Sequence, residues 1–327
     1  MAEQAAYILN QYQLTVEDVR KGRDQWIVRA GEGLFVLKEC HMGEEHLELL
    51  KDLTDHIEGS TQVFVQHLVS TGDGALMARD IDDTPYMLQT FSEGRECNIR
   101  DSREWGQAVH LLAEMHKGMQ LQTQKEVPSY SLAAEFHRRN KELRRIRRYL
   151  KEKKQKSDFE RLLYQQYGLF LEEALRTEEE WLSYEKLFEE ERQVWFCHGD
   201  YQYHNVWLCP DRTMILNLEK FMADLPCRDL YQFMRKFLEK HDWDEYLGSQ
   251  MLGIYESDRR LLLEEKISLI YRFAYPEKFW KIANHYFNSK KFFTQGKNEE
   301  KLLKLFAQER ARQNFIESVL REKILSS

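Results

Sequence analysis

The stretch Phe196-Cys-His-Gly-Asp-Tyr-Gln-Tyr-His-Asn-Val-Trp-Leu208, continued after a turn by Met214-Ile-Leu-Asn-Leu-Glu-Lys220, decides how this 327-residue chain is read. Val194, Trp195 and Phe196 lead in, Val206, Trp207 and Leu208 lead out, and Pro210-Asp211-Arg212 turns the chain into a further strand. Apolar edges therefore hold a short polar loop rigidly. That loop carries His198 and Asp200, then Asn205 five residues past the aspartate, with Asn217 and Glu219 beyond the turn.

Composition sets the frame around this stretch. The length allows one large bilobal unit or two domains with ample core. Charged residues make up 31% and the formal net charge is -7, so the chain is no generic nucleic-acid binder and any anion site is local. The five cysteines (Cys40, Cys97, Cys197, Cys209, Cys227) are odd in number and widely spaced, which argues against a disulfide framework or a zinc site and for a reducing compartment. The N-terminal Met-Ala-Glu-Gln-Ala-Ala has no basic region before an apolar run, and no eighteen consecutive apolar residues occur, so a soluble, unexported protein with no membrane partner is expected. Fifteen Gly, five Pro and 13% aromatic residues favour long helices and few flexible linkers.

Upstream, Ala2 to Tyr12 reads as a helix. Val16 to Val19, Gln25 to Ala30 and Gly33 to Cys40 read as a three-stranded meander with turns at Lys21-Gly22-Arg23 and Ala30-Gly31-Glu32-Gly33. Lys38 ends the apolar run Leu34-Phe35-Val36-Leu37. A helix over Gly43 to Ile57 offers Glu45 and Glu48 as carboxylates, and strands are expected over Gln62 to Ser70, Gly74 to Asp80 and Pro85 to Phe91. Ser102, as N-cap, opens an amphipathic helix to Met119, whose His116 follows the buried stripe.

Residues 126–190 are polar and helical. Phe136, Leu143, Ile146 and Leu150 form an apolar stripe, while basic residues from Arg138 to Lys156, Arg139 among them, fill the other faces. The acidic run Glu172 to Glu191 can balance that charge; the competing reading is a surface for a polyanion. Tyr149 is the only aromatic among these basic residues, too few for a base-stacking platform, so nucleic acid is not an expected partner. Arg228-Asp229-Leu230 precedes an aromatic helix, and helices fill the tail to Leu325.

His198-Gly-Asp200 with Asn205 has the spacing of a kinase catalytic loop. It resembles the aminoglycoside and choline kinase branch of the protein-kinase-like superfamily, which writes His-Gly-Asp for His-Arg-Asp. Joined by Tyr275-Pro-Glu-Lys-Phe-Trp280 and Asn284-His-Tyr-Phe287, the motifs are similar to those of the CotS family of spore-coat proteins over nearly the whole chain. The resemblance implies an α+β, bilobal protein-kinase-like fold: a small β-rich lobe over residues 1–91 and a large, mostly helical lobe over residues 92–327. It implies ATP and Mg²⁺ as cofactors of an active member, with Asp200 as base or hydroxyl-orienting group and Asn205 as a metal ligand. Lys38 would clamp phosphates, with Glu45 or Glu48 orienting it, and the backbone of Gln89, Thr90 and Phe91 would meet adenine. Asp229 would brace the loop or cap its helix, and His198 would pack behind the loop or act as a base. Other coat proteins are the implied partners, and the implied location is the mother-cell cytoplasm and then the spore coat. One position departs from the pattern: kinases place a metal-binding aspartate where this chain has Asn217, and Glu219 is the acid that could replace it. The expectation is a catalytically weak or inactive coat protein, scaffold or nucleotide-binding pseudokinase; the alternative is a Mg-ATP-dependent phosphotransferase for a small hydroxyl or amine acceptor.

Overall fold

The structure, a computed structural model, describes residues 2–22, 25–120, 130–188, 195–288 and 295–324. The chain divides into two compact units, residues 1–129 with 194–223, and residues 130–193 with 224–327. This differs from a boundary at 91/92, because the loop stretch is hydrogen-bonded into the β-rich unit by strands on both of its sides.

In the first unit, α1 (Ala2–Leu9) precedes β1 (Val16–Lys21), β2 (Trp26–Ala30) and β3 (Gly33–Glu39), followed by α2 (Glu44–Ser60), β4 (Phe64–Val65), β5 (Leu68–Val69), β6 (Ala78–Arg79), β7 (Pro85–Phe91), β8 (Arg95–Glu96) and α3 (Ser102–Lys117). The later segment adds β9 (Phe196–Cys197), β10 (Val206–Leu208), β11 (Thr213–Ile215) and β12 (Met222–Ala223). The main sheet runs β1-β2-β3-β7-β5 with β6 also on β7; a second sheet runs β4-β11-β10-β8; β9 and β12 pair alone.

Side chains alternate across a strand, so each strand of the main sheet has two destinations. Val28, Phe35, Leu37, Tyr86 and Leu88 pack on Ala5, Ile8 and Leu9 of α1. Burying such a side chain stabilises by about 1.5–3 kcal/mol, and this core anchors the sheet. Val36 and Lys38 point the other way, in register with Gln89 and Met87. The expected strand over Gln62 to Ser70 is instead two short pieces, because the chain changes sheets there: β4 lies parallel to β11, whereas β5 pairs with β7. Of Gly74 to Asp80 only β6 is strand. Asp101, rather than Ser102, caps α3, accepting from the amides of Arg103 and Glu104.

The second unit is helical: α4 (Leu132–Glu152), α5 (Asp158–Phe188), α6 (Cys227–Leu238), α7 (Glu245–Asp258), α8 (Leu263–Ala274), α9 (Glu277–Asn288) and α10 (Gln295–Phe315), which runs into a π-helical end over Ile316–Ile324. The stripe Phe136, Leu143, Ile146 and Leu150 is buried as the periodicity requires. Aromatic stacking adds to it: Phe136 on Tyr275 and Phe170 on Phe279, both with centroids 4.4 Å apart. Arg139 is also buried, contrary to its place among the polar faces, because Glu135 pairs with it and its guanidinium lies 4.5 Å from the Trp280 ring centre. Residues 126–129, 189–191 and Val194 lie outside the described residues, as does Arg23 in the first turn.

Candidate functional site

The pairing of β9 with β12, Cys197 opposite Met222, carries the His198–Asp200 loop past residues 218–220. The approach is close enough to require glycine. Gly199 has φ +79°, and a Cβ there would sit 2.2 Å from the Lys220 carbonyl oxygen. His198 is buried, its Nε2 lying 2.8 Å from the Leu216 carbonyl while its Nδ1 accepts from the Asp200 amide at 3.2 Å. The Nε2–H tautomer is the one that satisfies both contacts. Both ring nitrogens of His198 are thus engaged by backbone atoms of this stretch.

Asp200 has both carboxylate oxygens engaged, Oδ2 by the Lys220 ammonium at 2.7 Å and Oδ1 by the Gln202 amide. Asn205, 1% exposed, donates from Nδ2 to the Asp200 carbonyl at 2.8 Å. Its Oδ1 accepts from Asn217 Nδ2, also at 2.8 Å. Asn217 sits in the left-handed region, φ 62° and ψ 46°, which asparagine tolerates better than most residues. Its amide N–H donates to Gln66 Oε1 at 2.9 Å, and its Oδ1 accepts from Lys38 Nζ at 2.9 Å. Lys38 also donates to Glu219 Oε1 at 2.6 Å, in a pair whose side chains are 11% and 18% exposed. The lysine's carboxylate is therefore Glu219; Glu45 and Glu48 stand exposed on α2. His46 on α2 stacks on Phe221 at 4.3 Å, and burial lowers its pKa.

A cavity of about 820 Å³ lies on the Val36 side of the main sheet, a size suited to a nucleotide-sized ligand. Ile27, Leu34 and Val36 line it from the sheet, Trp207 and Leu216 from the second sheet, and Asn205 and Asn217 open onto it. Its arginines are already paired, Arg20 with Asp18 at 2.6 Å and Arg29 with Glu93 at 2.7 Å. Gln89 faces this side opposite Val36, 1% exposed, and among the described residues neither Oε1 nor Nε2 finds a partner. A buried amide with no partner costs free energy that a ligand could recover.

The segment expected to meet adenine, Gln89 to Phe91, has much of its backbone engaged within the chain. Thr90 gives its amide N–H to the His67 carbonyl at 2.9 Å and its carbonyl to Gln66 Nε2 at 3.2 Å. The Ser92 carbonyl accepts from the Trp207 indole at 3.0 Å, and Phe91 leans on the same indole, centroids 5.2 Å apart. Gln89 and Thr90 are paired with β3 through Val36 and Phe35 as well.

Magnesium prefers several anionic oxygens and strict geometry. Here Asn205 Oδ1, Asn217 Oδ1 and Glu219 Oε1 each already accept from an N–H of the chain. The Asn217 NH₂ occupies the direction in which an aspartate would offer a second charged oxygen. Of the oxygens of this set, Glu219 Oε2 is the one buried without a partner among the described residues. With three of these oxygens already accepting from the chain, the donor set in this arrangement does not fit Mg²⁺.

Asp229 belongs to the second unit, fully buried at the third residue of α6, where Pro226 and not Asp229 is the N-cap. Gln66, Gln202 and Lys220 were not singled out by sequence. Lys220 had a signal, adjacency to Glu219 in the decisive stretch, whereas Gln66 had none.

Solved structures share this fold. An aminoglycoside phosphotransferase from Alicyclobacillus acidocaldarius is 19% identical, covering 98% of this chain and 96% of that one, with a TM-score of 0.80. A microcompartment-associated aminopropanol kinase is 15% identical, covering 98% and 99%, with a TM-score of 0.65. A spectinomycin phosphotransferase in complex with ADP and spectinomycin is 13% identical, covering 96% and 98%, with a TM-score of 0.63. None of the curated proteins matches the sequence, and among the described residues no helix is long and apolar enough to cross a membrane. The profile described as spore coat putative kinase YutH matches residues 5–319, so the chain belongs to that spore-coat family of kinase-like proteins.

Proposed function

We propose that this chain is a nucleotide-binding pseudokinase of the spore coat, in which Lys38 and Lys220 take over the charge-neutralising work of metal ions and phosphoryl transfer is lost. One observation carries the reading: the Asn217 carboxamide bridges Lys38 and Asn205, its oxygen on the ammonium and its nitrogen on the amide oxygen. An aspartate could not donate to Asn205, so this geometry belongs to asparagine. Each ammonium can turn from its carboxylate to a phosphate, since Lys220 is 62% exposed and Lys38 borders the cavity wall formed by Val36 and Asn217. Phosphate binding then needs no divalent ion, but in-line transfer lacks the cation that bridges two phosphates. ATP is the proposed ligand and other coat proteins the proposed neighbours.

A second reading, metal-dependent transfer to a small hydroxyl or amine acceptor, draws on the buried and unpartnered Glu219 Oε2. Incubation with ATP, with and without Mg²⁺, followed by ADP quantification, separates the two. No ADP above the Asp200→Ala background, together with a thermal shift by ATP in EDTA, supports the pseudokinase. Mg²⁺-dependent ADP formation that Asp200→Ala abolishes replaces it with the enzyme.

A further inference from the structure

Helix α4 carries a row of cations that its own unit leaves uncovered. Lys141, Arg144, Arg148 and Lys151, all exposed, follow the spacing i, i+3, i+7, i+10 on one side of the helix and span about 15 Å at 1.5 Å per residue. Among the described residues none of the four makes an ion pair or hydrogen bond. Within the acidic run expected to balance them, Glu178 holds His137 and Asn140, Glu173 holds Arg312 and Glu180 faces Arg176, and none of these three pairs with the row. Like charges three and four residues apart repel one another along a helix, so the row is favoured by a negative surface laid against it.

The chain supplies such a surface. Its net charge of -7 already includes these cations, so the remainder is more acidic still. On α2, Glu45, Glu48, Asp52 and Asp55 are exposed at the same i, i+3, i+7, i+10 spacing, on the side away from the buried Leu50, Leu53 and Ile57. The two rows match in length and oppose in sign. Glu48 and Asp52 have interactions of their own, and Asp55, which ends the row, is shared with Lys51 at 3.1 Å and His67 at 3.2 Å, so the row acts through its exposed net negative charge.

We propose that α4 of one copy docks along α2 of a second copy, basic row on acidic row, so that the protein self-associates through two different patches. Such a heterologous contact propagates from copy to copy instead of closing as a two-fold dimer, which suits a member of a coat family. Tyr149 is the one large apolar side chain exposed on α4, which gives a lipid surface little to bury and a nucleic acid little to stack on. Exposed ion pairs are weak singly, so the contact depends on several acting together and on low ionic strength.

Sedimentation velocity over a concentration series, at about 20 mM and about 500 mM NaCl, tests this. The native chain should associate at low salt and dissociate at high salt. A variant with Lys141, Arg144, Arg148 and Lys151 all changed to Glu, and one with Glu45, Glu48, Asp52 and Asp55 all changed to Lys, should each be monomeric. Mixed one to one, they should associate again, since each then carries the row the other lacks. If a charge-reversed variant fails to fold by circular dichroism, the neutral Lys/Arg→Gln set should still weaken association. Monomeric native protein at low salt, association that survives the α4 changes, or folded variants that stay monomeric when mixed would overturn the proposal. So would a native chain that stays monomeric while duplex DNA or anionic vesicles retain it through α4.

Discussion

Asn217→Asp exchanges one NH₂ for an oxygen and tests the site at its hinge point. In the native chain Asn217 Nδ2 donates to Asn205 Oδ1 at 2.8 Å. The variant places two acceptors at that separation, and Asn205 is buried, so its oxygen goes unsatisfied at a cost of about 1–3 kcal/mol. The new carboxylate also meets the Lys38 ammonium, 2.9 Å from the present Oδ1, in competition with Glu219. Charges about 4 Å apart interact by about 4 kcal/mol at an effective dielectric of 20, so attraction to Lys38 and repulsion from Glu219 largely offset. The unsatisfied acceptor decides the sign. In EDTA the variant should therefore be less stable by about 1–3 kcal/mol. It also presents two carboxylates to a hard cation, so Mg²⁺ at about a hundred times its dissociation constant should return about 2.7 kcal/mol. Urea denaturation of both proteins, in EDTA and in MgCl₂, reads this directly. The reasoning is refuted if the variant equals the native chain in EDTA, or if Mg²⁺ stabilises the native chain as much as the variant.

Other perturbations follow from the same geometry. Lys38→Met strands a nearly buried Glu219 and should cost about 3–5 kcal/mol in chemical denaturation, with Lys38→Met/Glu219→Gln recovering much of it. Gly199→Ala puts a Cβ 2.2 Å from the Lys220 carbonyl at φ +79° and should lower stability by more than the roughly 1 kcal/mol by which Gly to Ala raises it at a compatible site; an unchanged melting temperature would contradict the loop geometry. The bidentate Arg95 guanidinium, with the Asn98 amide, holds the Glu104 carboxyl at about 2, below its ordinary 4.5. That stability is present above pH 4.5 and is lost as pH falls from there towards 2. Glu104→Gln should flatten this part of the pH profile of unfolding free energy.

Where periodicity governed, the sequence was a sufficient guide. The meander, α2, α3 and the buried stripe of α4 lie where alternation and the 3.6-residue repeat place them, because burial of an apolar face is decided locally. Where the chain changes sheets, at Gln66 and His67, local pattern gave one strand for two, since the partner strand β11 is distant in sequence. Arg139 reads as a surface cation until Glu135, Glu277 and Trp280 surround it. The site behaves likewise. Asp200, Asn205 and Asn217 were legible as residues, but their mutual hydrogen bonds were not. The partner of Lys38 was sought on α2 and found at Glu219, and the backbone of Thr90 turned out to be committed to His67 and Gln66.

The most direct measurement is the dissociation constant for ATP by titration calorimetry, once in EDTA and once in excess Mg²⁺, on the native chain. With Lys38 and Lys220 in place of the metal, the two values should agree within roughly twofold, a difference of about 0.4 kcal/mol. Binding that requires Mg²⁺, with affinity falling by more than about tenfold in EDTA, would contradict the account.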